Sequence, residues 1–151
     1  MSELKTRLRD DLTAAMKGRD ELTTATLRMA LAAVSTEEVA GKHARELSDH
    51  EVLRVLAREA KKRREAAEAF DGGGRTELAA RERAEGEVLE RYLPTQLSDQ
   101  EIAEVVRAAV AETGASEVRQ MGAVMKAVQA RAAGRADGKR LSDEVRRQLA
   151  G

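Results

Sequence analysis

The only imidazoles in the chain are His43 and His50. With a carboxylate such as Glu46 or Asp49 they could begin a metal site. Their spacing does not put them on one helix face, and they straddle a stretch that reads as loop. No ligand spacing in the chain matches a known site, so both read as solvated side chains and no metal is expected. Serines and threonines are plentiful, but none stands in a nucleophile-elbow setting. There is no cysteine, which removes disulfides, thiolate metal sites and cysteine nucleophiles together. No catalytic residue and no cofactor is assigned.

Gly134-Arg135-Ala136-Asp137-Gly138-Lys139-Arg140 has the outline of a phosphate loop. It is one residue short between its glycines, Arg140 stands where Ser or Thr would meet magnesium, and no strand precedes it, so nucleotide binding is rejected. Two readings stay open. One is a plain turn, with Gly134 closing a helix and Asp137 capping the next. The other adds anion binding, because free amides at a new helix N-terminus would meet Lys139 and Arg140.

Charge is uneven. The chain is neutral, with 27 basic and 27 acidic residues, which excludes a strongly basic nucleic-acid binder but allows a local patch. From Glu117 onward eight bases face four acids. The bases are Arg119, Lys126, Arg131, Arg135, Lys139, Arg140, Arg146 and Arg147. A second cluster is Lys61-Lys62-Arg63-Arg64. Arg54, Arg58, Lys61 and Lys62 fall on one side of a helix there, with Glu59, Glu65 and Glu68 in reach for pairing. This stripe reads first as a salt-bridged solvent face. Only two aromatics, Phe70 and Tyr92, are present, so any nucleic-acid contact would be to backbone rather than to stacked bases.

Helices must position these residues. Leu4, Leu8, Leu12 and Met16 argue for a first helix ending near Gly18, and Leu27, Leu31 and Val34 for a second ending near Gly41. Ser48-Asp49-His50-Glu51 is a capping-box pattern. It opens a third helix with a stripe of Val52, Leu53, Leu56, Ala60, Ala67 and Phe70. Asp71-Gly72-Gly73-Gly74 should break it. A fourth helix is expected from Thr76 to Tyr92, with late apolar contacts at Val88, Leu89, Tyr92 and Leu93.

Pro94 is the only proline. It cannot continue a helix and pushes Leu93 toward extended backbone. Ser98-Asp99-Gln100-Glu101 then repeats the capping box. Three further stripes follow: Ile102, Val105, Val106, Ala109 and Val110; Met121, Val124, Met125 and Val128; and Leu141, Val145 and Leu149. Nothing alternates with period two. The expected fold is all-α: a helical N-terminal domain over 1–93, a Pro-containing linker over 94–97, and a compact three-helix domain over 98–151. No apolar run is long enough to span a bilayer, and Met1-Ser2-Glu3-Leu4-Lys5 lacks an apolar signal core, so a soluble cytoplasmic protein is expected.

Several strings share the order and spacing of one family. They are Lys61-Lys62-Arg63-Arg64-Glu65, Gly73-Gly74-Arg75-Thr76-Glu77-Leu78 and Glu90-Arg91-Tyr92-Leu93-Pro94-Thr95-Gln96-Leu97-Ser98. Gly114-Ala115-Ser116, Met121-Gly122-Ala123-Val124-Met125 and Gly134-Arg135-Ala136-Asp137-Gly138 follow. Over nearly its whole length the chain resembles the YqeY family. That family is similar to the C-terminal part of the B subunit of glutamyl-tRNA(Gln)/aspartyl-tRNA(Asn) amidotransferase, whose catalytic cradle lies in a separate N-terminal region with no counterpart here. The resemblance implies a helical domain followed by a tail that recognises tRNA by shape. Family members carry a carbon–nitrogen ligase label with glutamine as amide donor, but the residues supply no amidase triad, ATP site or magnesium site for it.

The leading expectation is therefore a non-catalytic module that contacts tRNA or RNA of similar shape. Its contact set would be Arg119, Met121, Gly122, Lys126, Arg131, Gly134, Arg135, Gly138, Lys139 and Arg140, with Arg54, Arg58, Lys61 and Lys62 as a secondary stripe. The alternative is a protein-interaction module that docks on an amidotransferase or a synthetase. Glutamine-dependent ligase activity comes third.

Overall fold

The computed structural model describes residues 2–151. Among these it contains seven α-helices, one short 3-10 turn and no strand. The helices group into two units, Met1–Leu93 and Pro94–Gly151. No helix among the described residues is long and apolar enough to cross a membrane.

The first unit holds α1 (Glu3–Lys17), α2 (Glu21–Glu38), α3 (Asp49–Gly72) and α4 (Thr76–Glu90). Leu8, Leu27, Val34, Val52, Leu56 and Leu89 form its core with small residues such as Ala30 and Ala60. The helix starts follow capping chemistry. Ser2 accepts from the Lys5 amide, Asp20 from Thr23, and Ser48 and Glu51 close a reciprocal capping box. Polar clamps supplement the thin apolar core. Lys5 Nζ donates to both oxygens of Glu38 at 2.8 and 2.9 Å, and Glu38 also accepts from the Leu47 amide at 3.4 Å. The Leu4 amide donates to Asp49 at 3.1 Å. The Tyr92 hydroxyl donates to Asp11, with the Arg7 guanidinium 4.6 Å from the Tyr92 ring centroid.

Several boundaries differ from the sequence expectation. The second helix stops at Glu38 rather than near Gly41; there the Glu38 carboxylate turns back to hold Lys5 and Leu47. The third helix runs through Gly72, and the break falls on Gly73 and on Gly74, which takes the left-handed φ of 76°. The fourth helix ends at Glu90 because the Tyr92 and Leu93 amides turn back to Leu89 and Glu90 ahead of Pro94. The stripe of α3 is also wider. Val55 and Glu59 are buried, while Leu53 and Phe70 are only half-buried. The cause is that α3 packs against α1, α2 and α4 together. In α4, Ala79 is fully buried early in the helix, ahead of the late contacts.

The second unit holds α5 (Asp99–Thr113), the 3-10 turn Val118–Gln120, α6 (Met121–Ala132) and α7 (Gly138–Ala150). Its core is Leu97, Ile102, Val106, Ala109, Val124, Val128, Ala132, Leu141 and Val145 with Ala115. Ser98 and Glu101 close a second capping box on α5, and Gly114 ends that helix at φ 69°. Glycine reaches this left-handed region without the Cβ penalty. The 3-10 turn, which sequence periodicity does not foresee, is built on Gln120. Its side-chain oxygen accepts from the Ser116 and Glu117 amides at 2.8 and 3.0 Å.

Candidate nucleic-acid interface

The turn between α6 and α7 starts one residue earlier than the sequence suggests. Ala133, at φ 49°, caps α6, and Gly134 follows at φ 76°. Asp137 then caps α7, accepting from the Lys139 amide at 2.9 Å. Two successive left-handed residues reverse the chain, and this places Arg135 beside the segment that precedes α5. The Leu97 amide donates to the Arg135 carbonyl at 2.7 Å, and Arg135 Nε donates to the Thr95 carbonyl at 2.8 Å. Arg140 Nη2 pairs with Asp99 at 2.7 Å. Residues 95–97 are thus strapped to this turn, and Leu97 is buried in the core of the second unit.

The expected contact residues divide by what already engages them. Arg131 donates through Nε and Nη2 to Glu112 of α5 at 3.2 and 3.1 Å. Arg135 and Arg140 serve the strap. Arg119 pairs with nearby Glu117, both side chains exposed. The side chains of Lys126 and Lys139 are exposed and form no ion pair among the described residues. Gly122 and Gly138 lie in the first turns of α6 and α7, and a Cβ built on either would meet only open space. Gly134 is likewise open, whereas Met121 is half-buried and packs on the core. The remaining tail bases pair locally on α7, Arg146 with Asp143 and Arg147 with Glu144. The Arg147 bond holds the Glu144 carboxyl below the usual carboxylate range, with Gln148 assisting. Glu101, bonded by the Ser98 amide and hydroxyl and lying in the field of Arg135, is held low as well.

The secondary stripe is more committed. Arg58 pairs with Glu37 at 3.2 Å and Lys62 with Glu59 at 3.0 Å. Arg54 is exposed, and Lys61 is half-buried and engaged. Neighbouring Arg63 turns inward, its side chain 14% exposed, among Glu59, Glu82 and Glu85 at 3.4–3.7 Å. Glu59, on α3 itself, meets Lys62 and Arg63, and carboxylates from other helices join it: Glu37 of α2 at Arg58, and Glu82 and Glu85 of α4 at Arg63. Sequence spacing misses Thr95, Asp99 and Glu112 as partners, because they stand 40, 41 and 19 residues from the arginines they hold.

His43 and His50 are both exposed. Among the described residues no group of three His, Cys, Asp or Glu side chains could hold a metal ion. Of the large exposed apolar side chains, Met16, Leu78 and Val118 stand on three different elements and Val39 follows the end of α2, so no one element presents an apolar stripe of them to solvent.

The model of the family described as YqeY-like protein matches residues 5–149. The chain belongs to the YqeY-like family. An uncharacterized protein of Schizosaccharomyces pombe is 33% identical to this YqeY-like chain over 97 residues, which is 64% of the chain and 76% of that relative. The matched region covers nearly all of both helical units, with the strap and every residue of the candidate interface.

Proposed function

We propose that this YqeY-like chain is a non-catalytic cytoplasmic module that contacts tRNA, or RNA of similar folded shape, through phosphate contacts from its second unit. The observation that carries the reading is the pair of uncommitted lysines, Lys126 and Lys139, with Gly122 leaving the first turn of α6 open; the first turn of α7 is already capped by the Asp137 carboxylate. Backbone can approach phosphate closely where no Cβ intervenes. Arg119 adds a third cation, since an exposed ion pair such as Arg119–Glu117 contributes little and yields readily to phosphate. Arg131, Arg135 and Arg140 hold the unit together. Their remaining donors extend the patch without leaving their partners.

Two further observations support RNA backbone as the target. With two aromatics in the chain, stacking of single-stranded bases has no platform. The similarity of YqeY proteins to the tail of the amidotransferase B subunit favours a folded tRNA over other polyanions. Contacts of this kind give affinity and strong salt dependence with little sequence choice. The test is fluorescence anisotropy of labelled, folded tRNA titrated with the full chain at low salt. Saturable binding that unlabelled folded tRNA displaces better than a single-stranded oligonucleotide is the expected result. Equal displacement by both, or no binding, contradicts it.

A further inference from the structure

We propose that Arg135 couples the strap at residues 95–97 to polyanion binding on the second unit, so that occupancy of the α6–α7 turn tightens the strap and a docked strap improves binding. The inference rests on the RNA reading above. Its physical basis is that one residue serves both surfaces. The Arg135 carbonyl accepts from the Leu97 amide at 2.7 Å, and its Nε donates to the Thr95 carbonyl at 2.8 Å. The guanidinium is a planar fork of five donors. Nε faces the strap, and the two η nitrogens form no hydrogen bond or ion pair among the described residues, although the Glu101 carboxylate lies in the field of the guanidinium. A phosphate can therefore take the η edge without displacing Thr95. A phosphate held on the η edge would fix the guanidinium in the rotamer that donates Nε to Thr95, so the side-chain ordering is lost once for both contacts.

The same turn carries Gly134 and leads into Lys139. Arg140 adds a third link from the start of α7 to Asp99 at the start of α5. The strap is the first stretch of the second unit, so tightening it orders that unit's own N-terminal residues. By thermodynamic linkage the effect is reciprocal: whatever loosens the strap weakens RNA binding by the same factor.

The experiment follows exchange of the Leu97 amide by NMR on the full chain, with and without saturating folded tRNA, with tRNA binding measured separately by anisotropy. In the unmodified chain tRNA is expected to slow Leu97 exchange by roughly fivefold, the low end of typical coupling. In Arg135→Ala the amide should exchange faster without RNA, and tRNA should no longer slow it. Arg135→Lys keeps the charge but lacks the fork. It should still bind tRNA while losing the Leu97 response, which separates coupling from a simple charge effect. The Val128 amide in α6 reports whether each variant keeps its fold; should Arg135→Ala unfold, the Arg135→Lys comparison decides. Binding of tRNA with no change at Leu97 overturns the coupling alone, as does a Lys variant that responds like the parent. Absence of tRNA binding in the anisotropy arm overturns both the RNA reading and the coupling built on it.

Discussion

At the scale of single residues, side chains that look like free charge in the sequence are mostly fasteners. Lys5 and Glu38 show this most clearly: their side chains are 9% and 13% exposed, and they hold α1, the end of α2 and the Leu47 amide together. Removing one partner strands the other in a nearly dry site, so Glu38→Gln should cost about 2 kcal/mol in chemical denaturation. The bond from Lys5, assisted by the Leu47 amide, keeps the Glu38 carboxyl below its ordinary range. A carboxyl depressed in the folded state stabilises fully above its unfolded value and loses that contribution as pH falls through the folded one. Asp20, Glu51, Glu101 and Glu144 are depressed too, Glu51 to about 2 by its bond with Arg45. Stability should therefore hold from neutral pH down to about 5 and fall below about 4.5. Denaturation midpoints across pH should show Glu38→Gln losing less than the parent over that interval. Tyr92 moves the other way: burial first and then the bond to Asp11 raise its phenol, so Tyr92 should not ionise in the ordinary phenol range, as ultraviolet titration can check.

At the scale of elements, the signals that could be read in the sequence were those written in adjacent residues. Both Ser-x-x-Glu capping boxes, the Pro94 stop and the Gly114 stop act within one helical turn, and each lies where local chemistry puts it. Ser98→Ala should therefore cost about 1 kcal/mol. Features that depend on distant partners were not legible. No spacing rule connects Arg135 to Thr95 or Glu38 to Lys5, and periodicity alone could not show that α3 buries Val55 and Glu59. The 3-10 turn at Val118–Gln120 depends on one glutamine oxygen and has no periodic signature. Gly86 gives an element-scale test. It lies inside α4, where a Cβ would meet the Arg63 Cβ at an ordinary 3.6 Å. Gly86→Ala should thus raise thermal stability by up to about 1 kcal/mol through lost unfolded-state entropy; a fall would mean that α3 and α4 cannot accommodate the methyl. Residues 40–46 connect α2 to α3 and are all exposed, so trypsin should cut first after Lys42. The 95–97 strap, although irregular, should resist thermolysin at the Gln96–Leu97 bond, because Leu97 is buried and its amide bonded.

At the scale of the whole molecule, a neutral chain carries an excess of base after Glu117, and the structure separates that excess into cations already committed and cations left over. The second group is small: Lys126, Lys139 and the weakly paired Arg119. The most direct measurement of the central claim is the affinity for folded tRNA over a salt series, by anisotropy, for the parent chain and two triple variants. Three phosphate contacts with a fourth at Arg135 predict a log–log slope of roughly −3 to −4. Arg119→Ala, Lys126→Ala and Lys139→Ala together should flatten it to about −1, the part left to Arg135, while Arg54→Ala, Arg58→Ala and Lys62→Ala together should leave it nearly unchanged. Equal flattening by both triples would place the contact on the whole surface rather than on the second unit, and no binding at low salt would contradict the RNA reading altogether.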